Sequence, residues 1–223
     1  LGAIKNLFQA IDSATDNSRL IFIPDTDFLL LPWTTLSQLA GGTGPVIESV
    51  SASLTNLYYS LQTTKAQGRS IFVAGDSSSV SQLNLTGYDQ NSSIAQQTGD
   101  TFDAQRPALA QTDIIHIAVD ADWDDVWPSR SSFEFSVGGS ASAKVKALDL
   151  FSLKKSTAYL ANLDVQNIDL FKAQPDPLIV WQRALAFTGI PSIMLPLWRT
   201  SDSTLEYYNH FYQLLQQNDL ATA

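Results

Sequence analysis

The stretch Asp113-Ile114-Ile115-His116-Ile117-Ala118-Val119-Asp120 is apolar except for one histidine, and it opens and closes on a carboxylate. A run this short and this rich in isoleucine predicts a strand buried on both faces, the kind found inside a parallel sheet. Working outward, the same signature returns at Leu20-Ile21-Phe22-Ile23, Ser70-Ile71-Phe72-Val73-Ala74, Ala158-Tyr159-Leu160-Ala161 and Ile193-Met194-Leu195. Helical spacing lies before and between these runs: Ile4, Leu7, Phe8 and Ile11, then Leu54, Leu57, Tyr58 and Leu61, with further helices predicted over 101–109, 178–187 and 204–216. Strands alternating with helices predict an α/β fold, a mostly parallel sheet with helices on both faces.

Open parallel sheets gather ligands beyond the carboxyl ends of their strands. That rule selects Pro24-Asp25-Thr26-Asp27, Gly75-Asp76, Asp120-Ala121-Asp122 and Asn162-Leu163-Asp164, so a cleft lined by carboxylates is expected. The Ser-, Asn- and Gln-rich stretch 76–97 and the Gly- and Ser-rich stretch 137–142 read as loops.

Composition narrows the function classes. The chain has 223 residues, 44% of them hydrophobic and 16% charged, which is enough apolar material for a packed interior. It contains no cysteine, which removes disulfides, thiolate metal sites and thiol nucleophiles. The net charge of -9 argues against nucleic acid as a partner. No apolar stretch reaches membrane-spanning length, because Phe28-Leu29-Leu30-Leu31 stops at Pro32. Leu1 to Ala14 is amphipathic and lacks the form of a signal peptide, so the chain is expected to be cut from something longer, with the balance tipping to a cytoplasmic setting.

The order of segments resembles the CHAT family, peptidase-like domains of the caspase and separase clan often attached to tetratricopeptide repeats. Leu20-Ile21-Phe22-Ile23-Pro24-Asp25, followed by Leu31-Pro32-Trp33-Thr34-Thr35-Leu36, is similar to the family's opening strand, Pro-Asp turn and Leu-Pro-aromatic segment. Val46-Ile47-Glu48 leading into Ser53-Leu54 resembles its next strand and serine-started helix. Asp113 to Ala118 resembles the strand that reads His-x-Ala-Thr-His-Gly in the family, and Tyr159 to Gln166 sits where the family has Leu-Ser-Ala-Cys-Glu. The closing series is the most specific: Ala184 to Phe187, Gly189-Ile190-Pro191-Ser192, Leu197-Trp198, Asp202 and His210-Phe211-Tyr212. The resemblance implies a caspase-like topology from about Leu20 to Gln216, as one domain over 1–223 that forms the C-terminal part of a longer protein.

Family peptidases pair a histidine after the third buried strand with a cysteine after the fourth, the imidazole raising the thiolate fraction of the nucleophile. Carried over by position, the resemblance puts the His-Gly pair on Asp120-Ala121 and the cysteine on Asp164. It therefore implies a pseudopeptidase, without cofactor, that binds a protein or peptide, with an N-terminal repeat domain of the same polypeptide as one such partner.

Each remaining constellation has a plainer reading. His116 shares strand parity with Ala118 and Asp120, yet a lone histidine in a buried strand is more simply a hydrogen-bonded core residue. His210, beside Phe211, reads as a packed or surface residue. Asp120-Ala121-Asp122-Trp123-Asp124-Asp125 spaces carboxylates as calcium loops do, but Asp125 and Ser131 stand where an EF-hand needs Gly and Glu. A solvated acidic loop is the simpler expectation, with a divalent cation on Asp120, Asp122 and Asp164 as the rival. A carboxylate-dependent hydrolase using Asp120 and Asp164 is the other rival, since paired acids share a proton or a cation. Asp25 and Asp27 belong either to that cleft or to a self-bonded turn. Trp123 and Trp127 flank the acidic loop and suit the mouth of a peptide groove, so the candidate cleft comprises Asp25, His116, Asp120, Asp122, Trp123 and Asp164.

Overall fold

The computed structural model describes residues 20–23, 36, 47–50, 58, 68–75, 82–90, 102–124, 126–137, 141–153, 155–165, 176–195 and 203–217. They fall in compact units of residues 1–57 and 58–223. In the first, β1 (Leu20–Phe22) pairs in parallel with β2 (Ile47–Val50). The predicted helices over 4–11 and 54–61 lie outside the described residues except for Tyr58.

The second unit holds a five-stranded parallel sheet. Its strands are β3 (Ser70–Gly75), β4 (Asp89–Gln90), β5 (Ile114–Val119), β9 (Leu160–Val165) and β10 (Ser192–Met194), in the spatial order β10-β9-β5-β3-β4. An antiparallel ribbon of β6 (Ala121–Asp122), β7 (Ser132–Val137) and β8 (Ala141–Lys146) follows β5. Described helices are α1 (Phe102–Gln111), α2 (Ala147–Leu150), α3 (Asp176–Phe187) and α4 (Ser203–Leu215). The fold is the caspase-like α/β type, with a mostly parallel sheet.

The parallel register stacks the central strands in rungs. Ile71, Ile114 and Leu160 form one rung, Phe72, Ile115 and Ala161 the next, then Val73, His116 and Asn162, then Ala74, Ile117 and Leu163. All of these are buried, so the sheet is covered on both faces. On the face that carries Ile71, Val73, Ile114 and Leu160, the cover is α4, through Tyr208, Phe211, Tyr212 and Leu215 at helical spacing.

A clasp fixes the register at the amino ends. The Asp113 carboxylate accepts the Ser70 backbone N–H at 2.9 Å and the Ser70 hydroxyl, while the Asp113 N–H donates to Ser70 Oγ at 2.9 Å. Any side chain at residue 68 would collide with that carboxylate, which is why Gly68 stands there. At the far end of α3, Gly189 at φ 89 closes the helix: its N–H donates to Ala186 O at 2.9 Å, and the Ile190 N–H donates to Leu185 O at 3.2 Å. This paired Schellman closure directs the chain into β10.

Three sequence expectations change. The stretch 76–97, expected as loop, includes the short strand β4 at Asp89–Gln90. Residues 137–142 were expected as loop, yet Val137 ends β7 and Ala141 begins β8; the alternation Phe133, Phe135, Val137 supplies the strand period that the glycines obscure. The run expected to end at Ala161 continues to Val165, so Asn162, Leu163 and Asp164 lie within β9 and not beyond it.

Candidate functional site

Two rungs near the carboxyl ends of the strands carry polar side chains on the α4 face. His116 is opposite Asn162, and Ala118 is opposite Asp164. His116 and Asn162 are buried against Tyr208 and Tyr212, the His116 ring meeting Tyr208 edge-on at 5.1 Å between centroids and Tyr212 at 5.7 Å. His116 Nδ1 lies 2.7 Å from Tyr212 Oη and 3.0 Å from Asn162 Nδ2, and that amide also donates to Tyr212 Oη at 3.3 Å. Nδ1 is thus the ring nitrogen that the network engages, its role as donor or acceptor following the tautomer. The Tyr88 hydroxyl extends the network, donating to the Tyr212 carbonyl at 2.8 Å.

Burial sets the protonation states. His116 is held down to about 3 because the imidazolium has no solvent to stabilise it, so the ring is neutral at any ordinary pH. Burial also pushes the Tyr212 and Tyr208 phenols up, and the Asp164 carboxylate beside them adds to the rise. Tyr88 is raised to about 12, again by burial first. Asn162 Oδ1, the other terminal atom of that amide, is buried without a hydrogen-bond partner.

The acids at the strand ends occupy unlike surroundings. Asp164 is 7% exposed. Asp120, just past the last residue of β5, is exposed. Asp122 sits in β6 opposite Ser132, and its carboxylate pairs with Lys144 Nζ at 2.8 Å. Asp124 Oδ1 accepts the backbone N–H groups of Val126 at 3.1 Å and Trp127 at 2.7 Å, a self-bonded turn. The expected open acidic loop is thus partly a strand and partly a turn. Trp123 is half-buried, with its indole N–H unpaired, while Trp127 is exposed beneath the Arg130 guanidinium at 5.4 Å. His210 is exposed on α4. Asp25, Asp27, Asp76 and Asp125 lie outside the described residues. Among the described residues, no three carboxylate or imidazole side chains converge as a metal site would require.

The structure thus brings His116 and Asp164 to one face under the same helix. Of their partners, Asn162 on β9 lies in the strand-end stretch selected from sequence, whereas Tyr208 and Tyr212 on α4 were not read as site residues. A usable signal existed: polar residues at 162 and 164 repeat the strand parity of residue 116, and Tyr208, Phe211, Tyr212 and Leu215 form one helix stripe.

The family profile of the CHAT domain matches residues 3–223. The chain belongs to the CHAT family. No curated protein matches it. In this CHAT domain, the match extends over both compact units, and the closing series that carried the resemblance supplies α3, its Schellman turn, β10 and α4. The strand that ends just before Asp120 and the strand that contains Asp164, β5 and β9, are adjacent and parallel.

Among the described residues, no helix is long and apolar enough to cross a membrane.

Proposed function

We propose that this CHAT domain is a pseudopeptidase that works as a protein-interaction or regulatory module. The observation that carries the reading is the absence of cysteine from all 223 residues, which leaves the family's nucleophile without a candidate atom. Geometry supports it further. The position that resemblance assigns to the nucleophile, Asp164, is buried in β9 beside Tyr208 and Tyr212, whereas Asp120, assigned to the base, is in solvent. A carboxylate pair sharing a proton needs both groups in one environment. His116 offers no substitute base, since its Nδ1 is taken by Tyr212 and Asn162 within the core. The partner is a protein surface, and by family resemblance a tetratricopeptide repeat domain of the same polypeptide is the first to try.

The test is incubation of the purified chain with a diverse peptide library, followed by mass spectrometry. No cleavage above a heat-treated control is expected. Cleavage that persists through repurification and disappears in Asp164→Ala or Asp120→Asn would sink the proposal and favour a carboxylate-dependent hydrolase. Titration calorimetry with calcium, magnesium and manganese covers the cation reading, with no heat of binding expected at millimolar concentration.

A further inference from the structure

Large apolar side chains are exposed where α2 meets the end of α3. Leu148 is 55% exposed and Phe187 is 58% exposed. Phe151, three residues beyond Leu148 at the C-cap of α2, brings its ring to 5.1 Å from that of Phe187. Contiguous exposed apolar surface is a common feature of interaction sites.

Cations frame it. Arg183 lies one helical turn before Phe187 on α3, and is exposed. Lys146 is exposed and immediately precedes α2. Lys155 is exposed next to Ser156, whose N–H donates to Thr188 O at 3.1 Å, which seats the lysine beside the end of α3. Its φ of 58 is a conformation that favours glycine, so a long cationic side chain stands where the backbone alone would prefer none. Among the described residues, none of these cations has a carboxylate partner, although the chain carries 22 acidic residues against 13 basic ones. The acid nearest in sequence, Asp149, directs its carboxylate to the Lys146 backbone N–H at 2.8 Å.

We infer that the α2–α3 surface, with Leu148, Phe151 and Phe187 ringed by Lys146, Lys155 and Arg183, docks an acidic amphipathic segment of a partner protein. Apolar residues at helical spacing fill the patch, and flanking Asp or Glu side chains meet the cations, the arrangement of a helix laid in a groove. An anionic membrane offers similar chemistry but fits less well. A plane of negative lipid faces the whole molecule, with its net charge of -9, whereas a short segment meets only the basic rim. This inference rests on the interaction half of the proposed function and not on the loss of catalysis.

The experiment selects binders to the 223-residue chain from a displayed library of random peptides long enough for about four helical turns. Enriched peptides should carry excess Asp and Glu around helically spaced apolar residues. They should lose about tenfold in affinity to Phe187→Ser and to Arg183→Glu, as expected when an interface anchor is removed. Both positions are exposed, and near-ultraviolet circular dichroism confirms that each variant is folded. Failure to enrich any peptide, enrichment without acidic excess, or equal binding by the variants would overturn the inference. So would tighter binding to phosphatidylserine vesicles than to the best peptide. Peptides that bind the variants undiminished would place the interaction elsewhere and leave the module reading intact. Proteolytic activity would remove the pseudopeptidase reading and leave this surface in place.

Discussion

The central sheet has one face that is apolar through its buried rungs and one that changes character along its length. Phe72, Ile115 and Ala161, then Ala74, Ile117 and Leu163, make the first face, all buried. The face under α4 begins with Ile71, Ile114 and Leu160, passes to Val73, His116 and Asn162, and ends with Gly75, Ala118 and Asp164. Both faces are dry, yet only the second becomes polar toward the carboxyl ends where α/β proteins place their sites. The difference puts the buried polar side chains on the α4 side and leaves the other side to apolar packing.

Acid should separate the faces most strongly. An unfolded histidine gains its proton below pH 6.5, the folded His116 only below about 3. Stability contributed by the neutral ring is therefore whole above pH 6.5 and is lost as pH falls through that window, at up to about 1.4 kcal/mol per pH unit. Urea titrations at stepped pH should show a shallower dependence in His116→Gln than in the parent chain. Equal slopes would mean that the ring is not protected as described.

On the apolar face, Leu163→Ala should destabilise by about 2–5 kcal/mol through lost transfer energy and a residual cavity, read as a shift in the urea midpoint. On the polar face, Tyr212→Phe removes the hydroxyl shared by His116 and Asn162, and should lower stability by about 1–3 kcal/mol. If that change is neutral, the network stabilises no more than apolar contact would. The smallest effect belongs to the ribbon, outside either face. Lys144→Ala breaks an exposed ion pair with Asp122 and should change stability by less than about 1 kcal/mol.

The strands with apolar residues on both sides were plain in the sequence, because nothing in 71–74 or 114–119 interrupts the run except His116. β9 was legible only to Ala161. Asn162 and Asp164 look like an exit to solvent, and only the tyrosines of α4 make them interior. The ribbon was hidden for a different reason: glycines and serines at 138–142 mark a turn, but the pairing they permit depends on partners across it. The site was half legible. Strand parity puts 116, 118 and 120 on one side, while the contact from His116 to Tyr212 spans 96 residues and leaves no local trace.

The Asp113–Ser70 clasp lies at the amino ends of β3 and β5, the opposite end of the strands from Asp120 and Asp164. Alignment is thus held by residues at the far end of the strands from those acids. A protein arranged in this way can exchange the side chains at its strand tips while neighbouring strands keep their places. A scaffold of that kind can be put to different work by changing its strand tips, without first being rebuilt.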